Sequence, residues 1–429
     1  MRSASGTDRD EVISKSRFSL SRFVTILLLV QLGIILLTTP AGRFGVVIFG
    51  IRVSVGRNVY KAFPLFLLTS LAYFALTHRK IRWGAFSGPL AAVAAAVLLV
   101  SASSMDSYDS LKEGIRILLC TGFYVALINL PWEQARFRRI LICFVLGVFL
   151  LTIKALYKVG SGAETRAGDF LGHPNVLGAF CVTVVPVLLL FAVFLPQRRW
   201  KVLFQTSACS LALALLLTFS RGAYLAAVGS MLFLAFAGGR AARTALAPMG
   251  TLLLISVVIA WPSVTGRIRE TGLELHGERP ESRIFIWDTT FQDAIPDMPL
   301  WGWGAEGGFT ALVQSRERFR TDRPPAPRLA HPHNQVLDVL VAGGMPGLLA
   351  WVWLIVAAVG SIRKVPKWRG RSLRPFFFAP LIALGIVGLF ESIVTSRNTL
   401  PTLVLLFATI EALPTLEAFR DPTAGPCKL

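Results

Sequence analysis

The chain has 429 residues, of which 54% are hydrophobic and only 16% charged, and its mean hydropathy is +0.62. Those figures exclude disordered, collagen-like, disulfide-scaffold and ordinary soluble proteins. The formal net charge of +20 gathers in short Lys/Arg clusters between apolar runs, a pattern that membrane topology and anionic lipid explain with no nucleic-acid partner.

A helix needs roughly 20 apolar residues to cross about 30 Å of hydrocarbon. In chain order, runs that meet this need lie near 22–39, 58–77, 84–102, 112–130, 140–158, 174–195, 202–219, 222–238, 246–262, 335–360, 376–394 and 399–418. The expected fold is therefore an all-α polytopic membrane protein with about 12 transmembrane helices and a large extracytoplasmic loop of short helices between the ninth and tenth. The first run follows a basic segment but precedes no small-residue cleavage site, so it is expected to stay as an uncleaved span. Cys120, Cys143, Cys181 and Cys209 fall inside apolar runs, which argues against a disulfide framework.

Short loops carrying Lys and Arg tend to stay in the cytoplasm. Such clusters recur on alternate connections: Lys15, Arg17 and Arg22; Arg79, Lys80 and Arg82; Arg136, Arg138 and Arg139; Arg198, Arg199 and Lys201; Arg240 and Arg243; and Arg363 through Arg374. Both termini are thus expected in the cytoplasm, with residues 1–21 and 419–429 as tails, 22–262 as the first nine spans and 334–418 as the last three. The outer side receives loop 103–111, the tight turn at Arg221 and segment 263–333.

Segment 263–333 holds nine Arg, no Lys and ten Asp or Glu. Arg presents a planar fork that grips phosphate bidentately, which suggests phosphate held at the lipid boundary; the alternative is that these Arg pair with the local acids. Ile284, Phe285, Ile286, Trp287, Phe291, Trp301, Trp303 and Phe309 argue for order, as short helices lying on the membrane. Arg323-Pro324-Pro325-Ala326-Pro327 then reads as a stiff, extended return.

The tenth span opens on His331-Pro332-His333-Asn334, and from His333 the positions Leu337, Leu340, Gly344 and Gly347 follow at helical spacing. A His on the same face as two glycines that permit close helix approach sits in a cleft at the water boundary, where an imidazole can act as a base; the alternative is an interfacial His that caps the helix with Asn334. Arg221 joins two spans through almost no loop, and a charge at that depth marks a substrate pathway or snorkels from a helix end. Lys112, Glu113, Arg116, Lys154 and Glu391 fall in or beside apolar runs, and Glu391 is expected mid-span in the eleventh helix, paired with an Arg. His331 with His333, and Asp106 with Asp109, are too few for a specified metal site, so no metal is expected. No G-x-x-x-x-G-K-[ST] occurs, and no G-x-G-x-x-G follows a predicted strand, so no nucleotide cofactor is expected either.

Arg283-Ile284-Phe285-Ile286-Trp287, Asp297-Met298-Pro299-Leu300-Trp301-Gly302-Trp303-Gly304 with Phe309, and His333-Asn334 with its spacing to Gly344 and Gly347 resemble the O-antigen ligase and O-antigen polymerase superfamily. Arg166-x-Gly168, His173-Pro174-Asn175 and Ser220-Arg221-Gly222 are similar to further patches of that family, and the likeness runs from about residue 20 to 418. The resemblance implies a multi-pass membrane glycosyltransferase of the bacterial inner membrane, acting on the periplasmic face. The O-antigen ligase passes a glycan from undecaprenyl diphosphate to a sugar hydroxyl of lipid A–core, with no metal or other cofactor. By matching position His333 is the catalytic His and Arg221 and Arg283 bind the diphosphate, with Asn334, His331, Arg166 and Glu391 in support. Two alternatives remain, a polymerase of the same superfamily and a lipid-linked sugar transporter. The chain lacks the internal symmetry of many transporters. A polymerase would need a second phosphate-binding cluster, but the other outer loops carry only scattered Arg (Arg43, Arg52, Arg57, Arg166 and Arg397).

Overall fold

The computed structural model of the chain describes residues 20–36, 44–48, 51–55, 62–104, 107–130, 134–162, 166–167, 173–195, 197–259, 283–305, 332–365, 367–368, 371–392 and 399–412. Among the described residues each of the twelve apolar runs carries a helix. These are α1 (Leu20–Leu36), α2 (Phe63–Thr77), α3 (Ser87–Val100), α4 (Ser107–Asn129), α5 (Gln134–Gly160), α6 (Pro174–Phe194), α7 (Arg198–Leu217), α8 (Arg221–Ala237) and α9 (Gly239–Ile259), then, after a short α10 (Arg283–Thr289), α11 (Gln335–Lys364), α12 (Arg374–Gly388) and α13 (Leu400–Ala412). Two small antiparallel hairpins interrupt the series, β1 (Phe44–Ile48) with β2 (Ile51–Val55) and β3 (Lys367–Trp368) with β4 (Arg371–Ser372). By length and composition α6, α7, α11 and the 140–160 part of α5 are long and apolar enough to cross a membrane; six other helices are apolar but only 10–17 residues long.

Large apolar residues lie on the outside of the bundle as well as in its core, and α8 shows the outer face. On α8 the residues Leu225, Val228, Leu232 and Phe236 recur at helical spacing and are exposed, while Ala223, Ala226, Ala227 and Ser230 face the interior. Small residues inside let helices approach, and large apolar ones outside meet hydrocarbon, which is the arrangement of an integral membrane protein. α6 is the centre: 89% of its apolar window is buried, against 39–44% for the other long spans. It packs against α7, α8 and α12, while α3 packs against α4 and α11. Pro174 starts α6 where no amide partner is needed, and Pro375 does the same for α12.

α4 begins at Ser107, ahead of the predicted 112, because its charges are paired within the helix. Lys112 Nζ lies 2.7 Å from Asp109, and the buried Arg116 pairs with Glu113. The part of segment 263–333 that is described begins with a short helix, as anticipated, and its continuation keeps Phe291, Leu300 and Trp301 exposed while Ala294 and Ala305 are buried. The Pro-rich stretch 323–327, Phe309, Asp106, Arg397 and both predicted tails up to 19 and from 419 lie outside the described residues, as does His331.

Candidate functional site

The mouths of α6, α8 and α11 and the turn that follows α12 meet at one end of the bundle. At α11, Asn334 adopts extended backbone and its Oδ1 accepts from the amides of Val336 (3.0 Å) and Leu337 (3.2 Å), while its Nδ2 donates to the Leu389 carbonyl. A side-chain oxygen on two orphan amides is an efficient N-cap. The preceding residue, His333, has φ 51°, the left-handed region that a non-glycine residue enters only when its surroundings hold it there. Those surroundings include the neighbouring Pro332 carbonyl, which accepts from Trp287 Nε1 at 3.1 Å, and the Asn334 cap. The bend aims the His333 imidazole across at Glu391, with Nδ1 and Oε1 3.2 Å apart.

Glu391 was expected mid-span in the eleventh helix. α12 instead stops at Gly388, and Glu391 stands in the turn beyond it, with its second oxygen accepting from Asn175 Nδ2 at 2.6 Å. Its side chain is 6% exposed and that of His333 28%. An ionised carboxylate can only accept, so facing a carboxylate the imidazole donates from Nδ1. In that tautomer Nε2 is the ring's acceptor atom.

Arg166 secures the next layer. Its Nε donates to the Thr218 carbonyl (3.0 Å) and its Nη2 lies 3.4 Å from the Phe219 carbonyl and 3.5 Å from Asn175 Oδ1. A cation on the carbonyls just past Leu217 suits the negative end of α7. The result fixes the α7–α8 turn, where Phe219 also takes φ 49°, and places Arg221 as the first residue of α8. Ser220 provides no side-chain cap there, so the positive end of the helix faces the site beside Arg221. Gly222 is pressed against Phe390, where an added Cβ would lie 3.1 Å from the Phe390 Cβ, and the Arg283 guanidinium stacks 5.5 Å from the centre of the same ring. Arg283 and α8 thus meet on one aromatic residue, next to Glu391.

His173 and Asn175 were not assigned roles from the sequence. His173 caps α6, its Nδ1 accepting from the Asn175 amide at 3.3 Å. Its pKa is lowered, first by desolvation; Glu391 opposes this, while Arg166, His333 and Arg283 add to it. His173 thus lies within electrostatic reach of Glu391, Arg166, His333 and Arg283. The signal that could have found it is the pattern at two helix starts, His173-Pro174-Asn175 and His331-Pro332-His333-Asn334.

The Gly344 position is glycine for a different reason than helix approach. It has φ 60° and ψ −158°, interrupting α11, and an added Cβ would lie 2.0 Å from the Leu300 carbonyl oxygen. Leu300-Trp301-Gly302-Trp303 enters that break: Met345 N donates to the Leu300 carbonyl at 3.1 Å and Trp303 N to the Val341 carbonyl at 2.7 Å. Trp303 Nε1 reaches the Ala294 carbonyl at the end of a π-helical turn, Thr290–Ala294, so the segment after α10 is locked to α11. Gly343 and Gly347 do permit close packing, with Ala96 of α3 next to each. Among the described residues no three His, Cys, Asp or Glu side chains gather as metal ligands would.

Residues 206–352, about a third of the chain, match the family model described as O-antigen ligase. The matched stretch contains Arg221, Arg283 and His333 and bears out the family likeness carried by those motifs; that family is one of membrane glycosyltransferases. No curated protein matches the chain.

Proposed function

We propose that the chain is an O-antigen ligase: it transfers a glycan from undecaprenyl diphosphate to a sugar hydroxyl of lipid A–core, on the periplasmic face of the inner membrane, without a metal. The observation that carries this reading is the Nδ1-anchored imidazole of His333 beside two Arg at a helix mouth.

Nε2 of His333 takes the proton of the acceptor hydroxyl as its oxygen attacks the anomeric carbon. Glu391 stabilises the imidazolium that forms, and Asn175 holds Glu391. General-base assistance of this kind contributes about 10² to 10⁴ in rate. The bond to the diphosphate breaks as the new glycosidic bond forms, so one displacement inverts the anomeric centre. The departing diphosphate carries the charge, and Arg221, Arg283 and the N-terminal end of α8 neutralise it. A donor whose polyprenyl tail lies between helices keeps its diphosphate at headgroup level, where the helix mouths are. The twelve-span topology with both ends cytoplasmic is part of this proposal, since it puts 263–333 and Arg221 on the periplasmic side.

Deleting the gene and resolving lipopolysaccharide on a gel tests the reading. A ligase mutant leaves bare core and accumulates long chains on the polyprenyl carrier. Core bearing a single repeat unit would identify a polymerase instead.

A further inference from the structure

At the other end of α6 and α8 a cavity of about 820 Å³ opens among the last turn of α6, the start of α7, the α8–α9 turn and β4. α6 runs from His173 at the site to Phe194 at this cavity, about 30 Å at 1.5 Å per residue, so the two lie on opposite faces of one hydrocarbon layer. Three cations, Lys201, Arg240 and Arg371, line it. None of them is paired with a carboxylate among the described residues. The sequence explains why: no Asp or Glu occurs between Asp169 and Glu270, or between Asp338 and Glu391, the two stretches that build the cavity.

The remaining wall is mostly apolar, with Val193, Phe194, Val202 and Pro248, and Gln205 ties it together by donating to the Ala245 carbonyl at 2.7 Å. Scattered surface cations would satisfy the topology rule alone; three converging on one apolar-walled cavity go beyond it. A soluble anion would use the cations and leave the apolar wall wet. A phospholipid uses both, with its phosphate on the cations and its acyl chains along α6 and α7.

We propose that this cavity binds an anionic phospholipid from the leaflet opposite the His333 site. Basic pockets between transmembrane helices hold such headgroups, with each Lys or Arg near the surface contributing about 1 kcal/mol, or roughly fivefold in affinity. The test is native mass spectrometry of the purified full chain with phosphatidylglycerol or phosphatidylcholine. The wild type is expected to retain phosphatidylglycerol preferentially. Each of Lys201→Gln, Arg240→Gln and Arg371→Gln should weaken retention about fivefold, whereas Arg198→Gln with Arg199→Gln, outside the cavity, should not. Val193→Trp, which blocks the apolar wall and leaves all charges, should also weaken it. Retention unchanged in the three cavity variants, or lowered equally by the Arg198/Arg199 control, would overturn the proposal. Displacement of the lipid by inorganic phosphate would reassign the cavity to a soluble phosphate and overturn it too.

Discussion

α6 and α11 open at the same end of the bundle on nearly the same residues, yet their histidines are used differently. At α6 the His173 ring is itself the cap: its backbone is extended at φ −154°, and Nδ1 is occupied by the Asn175 amide. At α11 the cap is Asn334, one residue later, and His333 sits in the left-handed region with its ring turned to Glu391. Handing the capping duty to Asn frees an imidazole for chemistry. The two mouths are then joined through Glu391, which accepts from Asn175 of one and pairs with His333 of the other.

The largest effect expected from this contrast is on rate. His333→Ala should lower glycan transfer by purified protein about 10² to 10⁴-fold, while His173→Ala, which removes a cap and no base, and His331→Ala should be milder. Initial rates of the three variants check this; a fully active His333→Ala protein would sink the base assignment.

Next come the Arg residues that serve both mouths. Arg221→Lys and Arg283→Lys keep the charge but lose the bidentate fork, and each should cut transfer on the order of tenfold or more. EDTA should change the rate little. Loss of activity on chelation, restored by Mg²⁺, would replace the Arg-based account with a metal.

Smaller effects concern the caps. Asn334→Ala should cost about 1 kcal/mol of stability, measured as a lower Tm, with Asn334→Asp recovering most of it. The lowered pKa of His173 has a sign that can be followed: the unfolded chain takes up the proton first as pH falls through the ordinary value of 6.5, so stability is full above that value and declines below it. Replacing the ring by another capping group, His173→Asn, should reduce the drop in Tm between about pH 7.5 and about pH 5.5. An unchanged drop would remove His173 from the account.

Much of the bundle was legible because apolar runs and turn residues are local signals. Every run contains a helix, and the α7–α8 turn falls at Arg221 as its near-absence of loop implied. The end of α12 was not legible. Leu389 and Phe390 continue the apolar pattern past Gly388, but their amides bond back to Ile386 and Val387 in a turn that packs on Gly222 and Asn334. That error put Glu391 mid-helix and hid its contacts with His333 and Asn175, which lie 58 and 216 residues away in sequence. Gly344 was recognised as special, but the backbone that requires it comes from Leu300–Gly302, beyond any periodicity argument. Arg166, taken as a supporting residue, reaches the Thr218 and Phe219 carbonyls of the α7–α8 turn as well as Asn175, a geometry with no signature in sequence.

The most direct test of the central claim, that His333 and Glu391 act as one base, is a double-mutant cycle on transfer from lipid-linked glycan to lipid A–core. Groups that work as a unit are strongly non-additive. Glu391→Gln alone should be slow, His333→Ala slower, and the double variant no slower than His333→Ala. Losses that multiply in the double variant would contradict the account, because the two residues would then contribute independently.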